Sequence, residues 1–334
     1  MTVLVTGGPD GLGARIAAKL MQRGDTVHYF GSGGRELLDP GVPLADGGDI
    51  LDEASVISAC RSCSSVVHAA TVRSPWAPRQ PVYEINVRGT ANIIRGCLEN
   101  NVGSLILSSA AAVMLPTGSG ADESEQPACS QAAASLAIAE AMVLDADGWE
   151  MVVDAPASAV SDTVCPTEIR KLRTCALRPH LIWGPGQSAF FSRVLAKLQR
   201  GRLRLPLHDS GQRTSLTHID NAAEAHIQAV DSLADNGEHN PVSGASFVVA
   251  DAEPYVLQDW LEPLRRQLAW PPIKPGLPVP VSRPTARLAS LMEHYLPRLD
   301  LFLNRYSWQI LYRDSCFDIS RTCRELHFEP AFHD

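Results

Sequence analysis

Gly7, Gly11 and Gly13 lie between the apolar run Val3-Leu4-Val5 and the helix-like run Ala14-Arg15-Ile16-Ala17-Ala18-Lys19-Leu20, a spacing that could bind phosphate. In a strand–turn–helix, glycines let backbone amides approach a pyrophosphate. The helix N-terminus supplies positive dipole charge, and the last glycine lets the helix pack close to the strand. A carboxylate interrupts the pattern. Asp10 falls where the turn should come nearest the phosphate, and two anions at close range repel. Gly11, one position later, can take over part of the role, so fold and cofactor are separate expectations.

The elements that must position this turn alternate along the chain. Asp25 to Ser32 reads as a second strand and its exit, where this fold usually carries an acidic residue for the adenine ribose. That position falls on Gly31, followed by Ser32 and Arg35. A missing carboxylate beside an arginine leans toward NADP over NAD, and a merely solvated Arg35 fits as well. Gly48-Asp49-Ile50-Leu51 is expected to end a third strand, with Asp49 facing the adenine edge. Ser64 to Thr71 reads as the next strand, with Ala69 and Ala70 small enough for a nucleotide to lie against the backbone. His68, inside that strand, is expected to be a hydrogen-bonded core residue. A helix from Tyr83 to Ile94 and a strand from Ser104 to Ser109 continue the alternation. The expected class is α/β, a Rossmann-like doubly wound parallel sheet with a smaller C-terminal substrate lobe. Residues 1–184 would form the dinucleotide-binding domain and 185–334 mainly the substrate lobe, with segments returning to the sheet. An insertion near 145–173 is expected to be a surface loop or lid.

A chain of 334 residues can bury one large core with an attached lobe. Its net charge of -8 argues against a nucleic-acid surface. No apolar run approaches the roughly 20 residues of a membrane span, and a strand starting at residue 2 leaves no room for a signal peptide, so a cytoplasmic protein without stable membrane insertion is expected. The eight scattered cysteines read as buried thiols. Cys60-Arg61-Ser62-Cys63 has no second pair, so no metal site is expected.

The opening turn, His68-Ala69-Ala70, Asn86 to Asn92, Ser108-Ser109-Ala110-Ala111-Ala112-Val113, Leu177-Arg178-Pro179-His180, Trp183-Gly184-Pro185-Gly186, Thr217 to His226 and Phe317-Asp318-Ile319-Ser320 occur in one order. Together they resemble extended short-chain dehydrogenases/reductases, most closely the 3β-hydroxysteroid dehydrogenase/isomerase and sterol-4α-carboxylate 3-dehydrogenase branch. The resemblance implies a serine that orients the substrate oxygen, a tyrosine acid/base, and a lysine four residues later that lowers the tyrosine pKa and holds the nicotinamide ribose. Ser109 matches the serine. Counting back from Ala139-Glu140, which resembles the family's lysine helix, puts Leu136 at the lysine position and Ala132 at the tyrosine position. None of the four lysines (19, 171, 197, 274) follows a tyrosine by four.

Asp10, Gly31 and the missing Tyr/Lys pair point one way. A pocket remains, with Ser109, Tyr83, His180 and the Asp122-Glu123 loop expected near the carboxyl ends of the strands, where open sheets place ligands. The expected activity is redox-neutral: isomerisation, cyclisation or elimination of an apolar polycyclic, polyketide or terpenoid intermediate. NADP or NAD would then bind weakly or in a non-redox role, or not be required. An NADP(H)-dependent oxidoreductase and a non-catalytic ligand-binding protein are the alternatives, and the chain leaves room for a homodimer.

Overall fold

The computed structural model describes residues 1–8, 11–31, 48–115, 129–154, 167–186, 189–206, 212–234, 240–295, 302 and 304–331. The chain opens with β1 (Thr2–Thr6), α1 (Leu12–Arg23) and β2 (Thr26–Phe30). It continues through α2 (Glu53–Ala59), β3 (Ser65–His68) and α3 (Arg79–Tyr83). A π-helical segment, Glu84–Gly89, then leads into α4 (Thr90–Glu99), and β4 (Ser104–Ser108) is followed by a 3-10 turn, Ala111–Met114. After α5 (Gln131–Asp145) come β5 (Glu150–Asp154), β6 (Thr167–Lys171), β7 (Arg173–Pro179) and β8 (Ile182–Trp183). The second half holds α6 (Ala189–Gln199), β9 (Arg204–Leu205), β10 (Thr217–His218), α7 (Ile219–Ala234), β11 (Ala245–Val249) and α8 (Leu257–Gln267). It closes with β12 (Lys274–Pro275), α9 (Val279–Tyr295), α10 (Arg305–Tyr312) and α11 (Ser320–Glu325).

Six parallel strands form the main sheet in the order β11-β7-β4-β3-β1-β2. Alternation along each strand assigns its side chains to two layers. Val3 and Val5 of β1, with Ile106 of β4 and Leu177 of β7, pack with α1 and α7. Leu4, Leu105, Leu107 and Ala176 point to the other face, against α2, α4 and α5. A third core, built on α6, α9 and α10, forms the C-terminal lobe. α7 and β11 return from beyond residue 184 to the sheet, and the terminal Leu326 and Phe328 pack into its first layer.

One local reading is corrected. Residues 48–51 form no strand end: the Asp49 carboxylate accepts the Leu51 N–H at 2.9 Å, holding a turn, and Asp52 then caps α2. Of the 145–173 stretch, the described residues Glu150–Asp154 and Thr167–Lys171 pair as an antiparallel ribbon, β5 with β6. Arg170 and Lys171 of the ribbon share a hollow with Ser65, Ser104 and Arg173, the first residues of β3, β4 and β7. That is the amino end of the sheet, opposite the ligand-binding end.

Candidate active site

The β1–α1 turn is built by close approach. A Cβ on Gly13 would lie 2.8 Å from the Thr6 carbonyl oxygen and 3.2 Å from Gly7 Cα. Gly7 donates its N–H to the Phe30 carbonyl at 3.1 Å, and Tyr29 Oη donates to the Gly8 carbonyl at 2.6 Å. Gly11, by contrast, is the N-cap of α1, and a Cβ there would make only an ordinary contact, 3.9 Å from the Gly8 carbonyl oxygen. This backbone fits a pyrophosphate at the helix N-terminus. Asp10, Ser32, Arg35 and Asp122-Glu123 lie outside the described residues.

Position 31, expected from the sequence to face the ribose, is closed to a side chain. A Cβ on Gly31 would fall 1.9 Å from the Gly7 carbonyl oxygen, so no carboxylate can stand there without moving the turn. Gly31→Asp is therefore expected to lose more than about 2 kcal/mol of stability, read by denaturant unfolding. An unchanged midpoint would refute this account of the turn. Asp49 is exposed. The N–H groups of Ala69 and Ala70 are both spent on Thr6, the first on its carbonyl and the second on Oγ1, at 3.2 and 3.1 Å.

Beneath these residues His68 is fully buried between two hydroxyls. Its Nδ1 lies 2.9 Å from Thr6 Oγ1 and its Nε2 3.1 Å from Thr90 Oγ1, and burial pushes its pKa down to about 4. It is a core histidine. Asn86, in the π-helical segment, clamps the loop after β3: Oδ1 accepts from Val72 N at 2.7 Å, and Nδ2 donates to Val72 O and Ser135 Oγ at 2.9 and 2.8 Å.

That loop carries the cation that the sequence reading missed. Arg73 Nη1 donates to Ser108 Oγ at 3.0 Å, and desolvation pushes the guanidinium down to about 10. Ser108 shares the α7 face with Ile106, whereas Ser109 alternates onto the face of Leu105 and Leu107, toward α5. Ser109 is fully buried, and its hydroxyl has no hydrogen-bond partner among the described residues.

α5 begins at the Ser130 cap, whose side chain accepts the Ala133 N–H at 3.1 Å. Glu140 takes Arg178 of β7 in a two-pronged ion pair, which turns that helix face onto the sheet. One and two turns earlier on this face stand Leu136 and Ala132, 1% and 2% exposed. Hydrocarbon thus occupies the helix face that meets the α5 side of β4.

Tyr83 is half-buried on α3, with the Arg79 guanidinium 5.2 Å above its ring. His180 is 1% exposed, its Nε2 3.3 Å from Thr214 Oγ1 and its ring edge-on to Phe317, and burial pushes its pKa down to about 3. His226 of α7, read only as part of a motif, is also buried. Its Nδ1 donates to the Ala222 carbonyl at 2.7 Å, its pKa falls to about 4 through burial and the nearby Arg73, and its Nε2 has no partner among the described residues. Where the C-terminal lobe meets the loop after β3, Trp76 stacks on Phe190 and Phe302 at 6.3 and 6.0 Å, and Arg193 covers Trp76 at 4.3 Å.

Residues 4–278 match the 3-beta hydroxysteroid dehydrogenase/isomerase family. The chain belongs to this family. Among the family's curated relatives, a 2-alkyl-3-oxoalkanoate reductase of Stenotrophomonas maltophilia is 32% identical over 310 residues, covering 90% of this chain and 85% of that protein. The short-chain dehydrogenase/reductase family 42E member 1 of Mus musculus is 29% identical over 363 residues, covering 100% and 85%. The family fold is shared with the UDP-glucose 4-epimerase of Thermotoga maritima, with a TM-score of 0.67 at 16% identity over 100% of this chain and 94% of that one. No helix among the described residues is long and apolar enough to cross a membrane.

Proposed function

We propose that this chain is a redox-neutral enzyme on the short-chain dehydrogenase/reductase scaffold. It isomerises, cyclises or eliminates from an apolar polycyclic, polyketide or terpenoid intermediate of secondary metabolism. The reading is carried by Ala132 and Leu136, buried on α5 where the family's phenol and ammonium are expected. Neither can donate a proton or stabilise a phenolate. A dinucleotide held by Gly7, Gly11, Gly13, Ala69 and Ala70 would supply hydride chemistry, but its coupled proton would have no agent.

The polar groups at the carboxyl end of β4 suit a different task. A substrate carbonyl reaching this point gives the orphaned Ser109 hydroxyl its missing partner. Ser108, on the opposite face, is already engaged by Arg73, which leaves Ser109 as the hydroxyl that meets that oxygen as an enolate forms. Tyr83 is the group proposed to move the proton, and the Trp76, Phe190 and Phe302 rings suit an apolar body.

The test uses protein freed of nicotinamide and a 5-ene-3-ketosteroid, whose shift to the conjugated 4-ene-3-ketone is followed by ultraviolet absorbance. Conversion at constant mass, lost in Ser109→Ala, is expected. Strict dependence on a nicotinamide would sink the reading. A second reading, an NADP(H)-dependent oxidoreductase, is supported by the name of the reductase relative that matches 90% of this chain. NADPH consumption with a 2-alkyl-3-oxoalkanoate would favour it.

A further inference from the structure

Charge is unevenly spread along the chain. Residues 189–206 and 263–290 carry ten cations and no carboxylate, leaving 19 cations against 37 carboxylates elsewhere. A basic region set in an acidic protein marks contact with an anionic partner.

The fold joins the two segments. The turn after α6 reaches the loop after α8, where a Cβ on Gly201 would lie 3.1 Å from Pro271 Cβ. β9 and β12 pair in parallel, with Lys274 in register with Arg204. Both are exposed, and the Arg204 side chain donates only to the Pro275 carbonyl, at 3.2 Å, among the described residues. Like charges side by side on neighbouring strands are unfavourable, and an anion lying across them removes that cost. Arg200, Arg202 and Arg287 are exposed as well, whereas Arg265 and Arg266 are held by Glu262.

Aliphatic side chains stand among these cations. Leu268 at the end of α8, Leu277 before α9, and Val281 and Leu288 on α9 are 40–58% exposed. α9 buries Ser282, Ala286 and Ala289, so its period turns Val281, Arg287 and Leu288 away from the lobe.

This mixture of groups selects the partner. Nucleic-acid bases stack on aromatic rings, and these four exposed side chains are aliphatic. Protein interfaces draw most of their energy from Trp, Tyr and Arg, with Leu and Val under-represented. A second copy of the chain would set cation against cation. Aliphatic side chains between cations match the boundary of acidic head groups and acyl chains.

We propose that the surface formed by β9, β12, the loop between α8 and β12 and the outer side of α9 docks on anionic lipid. Val281 and Leu288 enter the acyl boundary, while Arg202, Arg204, Lys274 and Arg287 meet head-group phosphates. The contact is peripheral, and it is independent of the reaction proposed above.

Sedimentation of the full chain with vesicles tests the surface, one set made of phosphatidylcholine alone and the other of equal parts phosphatidylcholine and phosphatidylglycerol. At low salt the anionic vesicles are expected to bind at least about 25-fold more tightly than the neutral ones. Arg204→Gln with Lys274→Gln is expected to weaken that binding about 25-fold, about 5-fold for each cation lost. Val281→Ser with Leu288→Ser is expected to weaken it at least about 10-fold. All four positions are exposed, and thermal melts establish that the variants fold. Equal binding to neutral vesicles, no binding to anionic ones, or binding unchanged in either double variant overturns the proposal. Poly-glutamate bound as tightly as the anionic vesicles would assign the surface to an acidic protein and overturn it as well.

Discussion

Stability is expected to fall by up to about 4 kcal/mol per pH unit near pH 5, because three buried histidines stay neutral in the folded chain. Burial holds His68 and His226 at about 4 and His180 at about 3, against an ordinary value of 6.5. Between those values and 6.5 the unfolded chain binds protons that the folded chain refuses. Stability is thus full above about pH 7, and it declines as pH falls through the histidine window toward 4. Each site contributes up to about 1.4 kcal/mol per pH unit. Asp251, raised by desolvation, acts in the opposite sense, one carboxyl against three imidazoles. Denaturant unfolding at about pH 7 and about pH 5 measures the slope. A flat profile would mean that these imidazoles are not held as described.

Glu140→Ala is expected to cost about 3 kcal/mol, because it strands Arg178 at the sheet with its guanidinium largely buried. The pair is 7% and 20% exposed, and three contacts join its members. Removing both charges should be far milder: Glu140→Met with Arg178→Leu fills similar volume and is expected to stay within about 1 kcal/mol of the parent. A double-mutant cycle on unfolding free energies checks the coupling. Additive losses would show that the pair does not anchor α5, and the placement of Ala132 and Leu136 on the sheet-facing side would lose its support.

Local signals made the first half of the chain legible. The glycine turn and the strand alternation rest on contacts a few residues apart, and the motif that put Glu140 four residues after Leu136 gave a helix face that the Arg178 contact now defines. Arg73 was not legible. Its meaning depends on a partner 35 residues away, Ser108, which only the folded sheet brings near. His180 was expected near the pocket, and its surroundings, Thr214 and Phe317, come from distant segments. The strands flanking the expected 145–173 insertion form a ribbon at the amino end of the sheet, a place that composition could not give because it carries no information about which pole a ribbon joins. Gly31 read as a lost carboxylate, and the backbone supplies the reason: the Gly7 carbonyl occupies the space that a side chain would need.

The most direct measurement of redox-neutral chemistry follows hydrogen rather than absorbance. Nicotinamide-free protein is incubated in deuterium oxide with a 3-ketosteroid, alongside a second incubation in ordinary water with NADPH deuterated at C4. Enolate formation at Ser109 predicts solvent deuterium at the α-carbon without nucleotide, reduced at least about 10-fold by Ser109→Ala, the loss of one hydrogen bond to the developing charge, and no label from the cofactor in any product. Deuterium delivered from NADPH to the carbonyl carbon, with no exchange in its absence, would contradict it.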